Sequence, residues 1–283
     1  MQKQKPIHQK RFNTVRRGRV SSRREARQHL VLRNNLEKRF YKRLRTLFRK
    51  FVRVEMHLYT QYGIYEPTVA IQHLNEDLFP MCLSHYKKIY QTTYQLNEKI
   101  IFGEQKQTWQ DDVEVPEGFV FGRSVDFDLL VANYFQTRVL YLNGITNRMA
   151  SAISSYIQQG QLQGLSSRQI ARELASHFDV MTPFRAQLIA RTETHNASSF
   201  AHHLYNTKVK EDTGMPMKKK WVAVSDSRTR EAHRLANGQI RDIDDTFSVG
   251  GMRMKHCGDP AGGAANVINC RCVTVYAHED DIL

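Results

Sequence analysis

The sequence predicts an α+β fold, mostly helical over its N-terminal two-thirds and closed by a small α+β C-terminal part. Three observations carry this. Apolar residues recur at spacings of three and four through the first two-thirds, the period of a helix buried along one face. From Lys220 the texture changes: Trp221 to Val224 and Arg271 to Tyr276 are rich in β-branched and aromatic residues and read as strands. Three of the four cysteines and most of the closely spaced polar residues fall in this last part.

Taken in order, residues 1–24 mix Gln, Lys, Arg and Ser and read as a disordered basic arm. A helix is expected from about Glu25. Leu36, Phe40, Leu44, Leu47, Phe51, Val54 and Leu58 form its apolar stripe. After Gly63 and Pro67 a second helix is expected from Thr68 to about Leu96, kinked at Pro80, with Cys82 as a small core residue. Residues 103–124 read as a turn-rich surface loop. A long helix follows from about Asp126 to Gln158, with Gly144 as a point of bending or division. Ser166 or Ser167 caps a short helix to about Phe178. Thr182 caps another, with Pro183 in its first turn, and this one carries Arg191, Glu193 and His195 to about Lys208. Between the two expected strands, Ser225 or Asp226 caps a helix from Ser227 to Leu235, ended by Asn237-Gly238. The organisation expected is therefore an arm (1–24), a basic helical region (25–125), and one further domain with a helical part (126–210) and a small α+β part (211–283).

At 283 residues the chain can bury a real core and accommodate two domains. Its net charge of +14 is concentrated in one place. Residues 1–53 hold 19 Lys and Arg against two Glu, which leaves 23 basic and 26 acidic residues for the remainder. A block of this kind is expected to meet a polyanion or an acidic protein surface, through Arg16, Arg17, Arg19, Arg23, Arg24, Lys38, Arg39, Lys42 and Arg43. For the stretch after the arm, a solvated helix face is the equal alternative. The basic start lacks the apolar core of a secretory signal, and no apolar run reaches the roughly 20 residues of a membrane span. Synthesis in a cytoplasm and no membrane contact are the expectations. Four cysteines, with Cys82 isolated, do not make a disulfide framework.

Two constellations could carry chemistry. Cys270 and Cys272 are two apart, so on a strand both thiols would share a face, with Arg271 on the other. With His233 and Cys257, or His256, they could complete the four ligands of zinc. Cys-x-Cys is not the usual zinc knuckle, and two core thiols beside a tight loop are the other reading. The second set is Asp226, Arg228, Arg230 and His233, joined by Arg191 and Glu193. It reads as a polar clasp in which Glu193 pairs with Arg228 or Arg230 and Asp226 holds its own helix. No nucleophile–base pair or phosphate loop is written locally, so no catalytic residue is assigned.

A series of motifs in fixed order then carries a resemblance. It comprises Gly164-Leu-Ser, Arg168-Gln-Ile-Ala-Arg-Glu-Leu174, Arg185-Ala186, Ile189-Ala-Arg-Thr-Glu193 and Lys220-Trp221. It continues with Asp226-Ser-Arg-Thr-Arg230, His233, Gly238, Gly258-Asp-Pro260 and Asn269-Cys-Arg-Cys272. Over about residues 126–276 the chain resembles the phage Mu F-like head morphogenesis family of minor head proteins. It departs from those members that have Cys-x-x-Cys where Arg230 and His233 stand here. The resemblance implies a structural, non-enzymatic protein made in the infected bacterium and present in a few copies in the virion, inside the head or at the portal vertex. It implies assembly with portal, major capsid or scaffolding proteins, and the basic block would suit packaged DNA. The alternatives are a nuclease using Asp226 and His233 with Arg228 and Glu193, and a free nucleic-acid-binding module.

Overall fold

The structure, a computed structural model, describes residues 22–102, 125–214 and 216–278. Four long helices come first: α1 (Ser22–Tyr62), α2 (Pro67–Phe102), α3 (Phe127–Leu162) and α4 (Ser167–Thr213). Short elements follow: β1 (Met217–Val222), α5 (Glu231–Ala236), β2 (Ile240–Asp242), β3 (Phe247–Val249), β4 (Met252–Met254), a 3-10 turn at Pro260–Gly262, α6 (Gly263–Val267) and β5 (Val273–His278). This is the α+β architecture expected. The arm lies outside the described residues up to residue 21, and so does the expected loop at 103–124.

The chain forms two compact units, with boundaries inside α1, α2 and α4 and at the start of α3. The helical unit holds residues 36–88 and 127–191. In α1 the buried stripe runs Leu36, Phe40, Leu44, Phe48, Val52, Met56 and Tyr59. The sequence reading had carried it to Val54 and Leu58, but Val54 is exposed. A period of 3.6 drifts past a 3.5 repeat over four turns, and the drift moves the stripe to Val52 and Met56. On α2, Ala70, Leu74, Leu78, Cys82 and Tyr86 are buried, with Cys82 in the core as expected. The Phe40 ring stacks on His85 at 3.9 Å, and Tyr86 meets Tyr134 of α3 edge-on at 5.0 Å. Helix α2 continues through Pro80, and α3 is undivided at Gly144.

The two helices expected between Ser166 and Lys208, a short one to Phe178 and another from Thr182, are one helix. Pro183 lies inside α4, not in a first turn. Its ring removes one hydrogen bond, a local cost. The apolar stripe of Ile170, Leu174, Phe178, Ala186, Ile189 and Ala190 keeps its spacing across the proline, and all six are buried. Burial of a continuous face outweighs one lost bond. Gly160 is where α3 makes room for α4, since a Cβ there would meet Ile170 Cγ1 at 2.5 Å.

The second unit holds residues 22–35, 89–102, 125–126, 192–214 and 216–278 of the described chain. Its three-stranded antiparallel sheet has the order β2-β1-β5, with Trp221 opposite Thr274 and Lys220 opposite Val275. Strands β3 and β4 form a separate hairpin. On β1, alternation turns Met217, Lys219 and Trp221 to the buried side. Lys219 is fully buried, donates to the Ile243 carbonyl at 2.7 Å, and is lowered to about 8 by burial. Trp221, Phe247, Val249, Met254, Val267, Cys257, Cys270 and Cys272 make one core. A second core joins Ala26 of α1 to Val273 and Val275 of β5.

Candidate functional site

The block from Trp221 to Tyr276 lies in the second unit, and each of its polar side chains is placed by a specific backbone device. Ser225 adopts a left-handed conformation, φ 61°, and reverses the chain after β1. Asp226 then closes a turn on itself: its Oδ1 accepts from the Arg228 amide and the Thr229 hydroxyl, each at 3.1 Å. The helix expected from Ser227 begins only at Glu231, because Asp226 serves this turn and leaves Arg230 in the cap position. Helix α5 ends at Asn237, whose side chain accepts from the Ala223 amide at 2.9 Å, so the Asn237-Gly238 turn is fastened to the end of β1. One turn into α5, His233 points into the core and is buried.

The cysteines arrive from two loops. Cys270 and Cys272 precede β5 and are not part of it, contrary to the shared-strand-face expectation. Asn269 is left-handed, φ 60°, and its amide donates to Thr192 Oγ1 of α4 at 3.1 Å. This anchor turns both thiols toward α5. His233 Nδ1 lies 3.3 Å from Cys272 Sγ and 3.6 Å from Cys270 Sγ. Cys257 comes from the loop after β4; its amide donates to Thr274 Oγ1 of β5 at 2.9 Å, and its thiol lies against Cys272. The neighbouring thiol and burial push Cys272 up to about 12, and Cys270 is raised for the same reasons. All four residues are buried.

Gly258-Asp-Pro is a close-packing turn. Gly258 has φ +79°, and a Cβ there would stand 2.6 Å from Asn196 Oδ1 and 3.0 Å from the His195 ring. Asp259 caps the 3-10 turn by accepting from the Ala261 amide at 3.0 Å. Gly258→Ala is expected to destabilise the unit by about 1–3 kcal/mol, the cost of a strained backbone with a displaced neighbour. Urea denaturation measures it, and an unchanged midpoint would mean that the turn relaxes freely.

The clasp residues are partnered differently from the sequence reading. Asp226 is gripped by Arg271 from both sides, Nη1 on Oδ2 and Nη2 on Oδ1, the second at 2.6 Å. That guanidinium holds its carboxyl well below the usual range. Arg228 stands 3.9 Å away and is exposed. Arg230 donates to the Ile268 carbonyl at 2.5 Å, fastening the loop that carries the cysteines. Arg191 belongs to the helical unit, where it meets Glu37 at 3.2 Å. Glu193 is fully buried on α4. The nuclease set therefore does not assemble as expected: Asp226 is occupied by Arg271, and His233 faces thiols.

Arg33 is not among the residues the sequence singles out, whereas His195 is, on the polar helix with Arg191 and Glu193. Arg33, buried on α1, donates to the Cys272 carbonyl at 3.0 Å, to the Arg271 carbonyl at 2.8 Å, and to His195 Nδ1. His195 lies beside the Cys270 thiol. A sequence signal existed: Arg33 falls in register with Ala26, His29, Leu36 and Phe40, so it is a charge on a buried face and needs partners. Of the basic residues, Arg16, Arg17 and Arg19 lie outside the described residues, while Arg23, Arg24, Lys38, Arg39, Lys42 and Arg43 are exposed on α1.

Residues 151–275 match the family described as Phage Mu protein F like protein, and over that stretch the chain is similar to that family. Among curated relatives, Minor head protein GP7 of Bacillus phage SPP1 is 27% identical over 176 residues, 57% of this chain and 54% of that protein. NAD(+)--arginine ADP-ribosyltransferase EFV of Enterococcus faecalis is 32% identical over 131 residues, 46% of this chain and 26% of that protein. The chain thus spans about half the length of the first of these and about a quarter of the second. No solved structure matches the chain significantly. Among the described residues, no helix is long and apolar enough to cross a membrane.

Proposed function

We propose that this chain is a structural minor head protein of a tailed bacteriophage, a virion component that acts in head assembly at or near the portal. The observation that supports this is the phage Mu F-like match, which covers the end of α3, all of α4 and nearly all of the C-terminal block. The minor head protein of phage SPP1 shares similarity with this chain. The polar residues of the block fit a structural role, since they fasten loops to helices and to one another. Portal, major capsid or scaffolding proteins are the partners, a few copies enter each head, and the protein is made in the host cytoplasm. Because the chain spans about a quarter of the Enterococcus transferase, the activity in that protein's name is not carried over. The test is to purify procapsids and virions of the producing phage and quantify this protein by mass spectrometry. A few copies per particle, co-purifying with the portal, is the expected result; absence from both particles overturns the proposal.

The basic N-terminal segment is the contact for packaged DNA or for an acidic portal or scaffold surface. Lys38, Arg39, Lys42 and Arg43 recur at spacings of four on α1 and are exposed. Among the described residues, no carboxylate pairs with them. DNA affinity of the full chain is expected to fall steeply with salt. Removing residues 1–24, or changing Lys38, Lys42 and Arg43 to Glu, should lower the log–log salt slope by about 1 per lost phosphate contact. An unchanged slope in both variants would assign the segment to a protein partner.

A further inference from the structure

We propose that Cys257, Cys270, Cys272 and His233 form a tetrahedral site for one zinc ion that organises the C-terminal block. This goes beyond the head-protein reading and does not depend on it. The ligand spacing is the first argument. Zinc–sulfur bonds of about 2.3 Å and zinc–nitrogen bonds of about 2.0–2.1 Å, set at a tetrahedral angle, separate S and N by about 3.6 Å. The separations from His233 Nδ1 to the two thiols are 3.3 and 3.6 Å. The ligand atoms of His233, Cys270 and Cys272 all lie within 4.8 Å of one another. Cys257 lies outside that group, but its thiol is against Cys272, and a small closure of its loop would bring it in as the fourth ligand.

The surroundings make the second argument. A three-thiolate, one-imidazole site around Zn²⁺ carries a net charge of −1, which needs nearby positive charge and donors when buried. Arg33 supplies both, through the carbonyls of Arg271 and Cys272 on either side of the second thiol. A guanidinium cannot accept, so its bond to His195 Nδ1 fixes the His195 proton on Nε2, a buried atom with no hydrogen bond, on a ring that lies beside Cys270. His195 is thus a positioning residue for the Cys270 thiolate. The third argument is chemical economy. Without a cation these are three neutral thiols around an imidazole whose Nε2 is buried and makes no hydrogen bond. The ion would give the thiols a reason to converge from two separate loops on one ring nitrogen, His233 Nδ1. The only other cluster of candidate ligands among the described residues, Glu25, His29 and His202, has no thiol, and two of its rings are stacked at 3.9 Å.

Zinc binding then releases the three thiol protons, one per Cys, as each Zn–S bond forms. The test uses the full chain, purified reduced, with Cys82→Ser as control. About one zinc per chain and about three protons released on zinc uptake at neutral pH are expected. Replacing zinc with Co²⁺ should give thiolate-to-cobalt charge-transfer bands with a tetrahedral d–d pattern. Cys257→Ser, Cys270→Ser and Cys272→Ser should each lower the charge-transfer intensity by about a third or abolish binding. His195→Gln should keep the bands and weaken zinc about 10–100-fold. No zinc uptake by the wild-type chain overturns the proposal, as does proton release of zero or cobalt bands that persist unchanged in Cys270→Ser. The first two of these readings need no variant to fold.

Discussion

Trp221→Ala is expected to destabilise the second unit by about 3–5 kcal/mol, the largest single-substitution effect in the molecule. The side chain is fully buried in β1 and meets Phe247 edge-on at 5.4 Å and His233 at 5.6 Å. It fills the centre of the core that also holds Cys257, Cys270 and Cys272. Truncation would leave a void between the sheet and the cysteine loop, with no neighbour free to collapse into it: Val249, Met254 and Phe247 are themselves fully buried. Because the indole nitrogen makes no hydrogen bond among the described residues, Trp221→Phe should cost far less than Trp221→Ala. Urea denaturation at fixed zinc concentration measures both. Equal losses for the two variants would show that the indole's size is not what the core depends on.

Acid should unfold the second unit well above the range where carboxylates titrate. His29 and His202 stack at 3.9 Å inside it and are both buried. Burial holds His202 at about 3, with Arg33 and His256 adding repulsion, although Glu25 Oε1 is 3.4 Å from its Nε2. The Tyr276 ring, at 4.7 Å, completes its surroundings. His29 is lowered by burial, by His202 and by Arg33, with Asn97 opposing. Both folded-state values lie below the unfolded value near 6.5. The unfolded chain therefore takes up protons first as pH falls, and stability is undiminished above 6.5. Below that, each histidine removes about 1.4 kcal/mol per pH unit until its own folded-state value is reached. Between pH 6.5 and 5 His202 alone costs about 2 kcal/mol, and His29 adds to this in the same direction. A stability–pH curve with at least two extra protons bound on unfolding is the expected result, since His195, His203 and His256 of the same unit are lowered as well. His202→Gln should remove one of them, and a flat curve from pH 7 to 5 would refute the argument.

What could be read from the sequence was whatever repeats locally. The apolar stripes of α1 to α4, the strand character of Trp221 and Val273, and the burial of Cys82 all follow from period and residue type. The convergence of His233, Cys257, Cys270 and Cys272 was also anticipated, because few other residues in the block can bind a metal. What escaped were decisions made by distant residues. Pro183 looks like a helix start until the stripe from Ile170 to Ala190 is seen to be buried as one surface. Asp226 had arginines two and four positions away, yet its partner is Arg271, 45 positions on, because the turn at Ser225 aims the carboxylate across the block. Lys219 sits on the buried face of β1 because strand alternation places it between Met217 and Trp221; its charge alone argued for the surface. Arg33 is 162 positions from His195 and 239 from Cys272, beyond the reach of any spacing rule.

The composition of the second unit also sets an order of events on the ribosome. Ala26 packs against Val273 and Val275, and the Glu25 carboxylate accepts from the Tyr276 amide at 3.3 Å, a pairing of residues 251 positions apart. The first turns of α1 are made well before β5, and they must wait for it. The helical unit is complete once residue 191 has emerged, so it can condense while the other half is still being translated. During that interval Ala26, His29 and Arg33 have no sheet to cover them. The polar and basic side chains around them, Arg23, Arg24 and Arg27, then do a second job: they keep an unfinished surface soluble until β5 arrives.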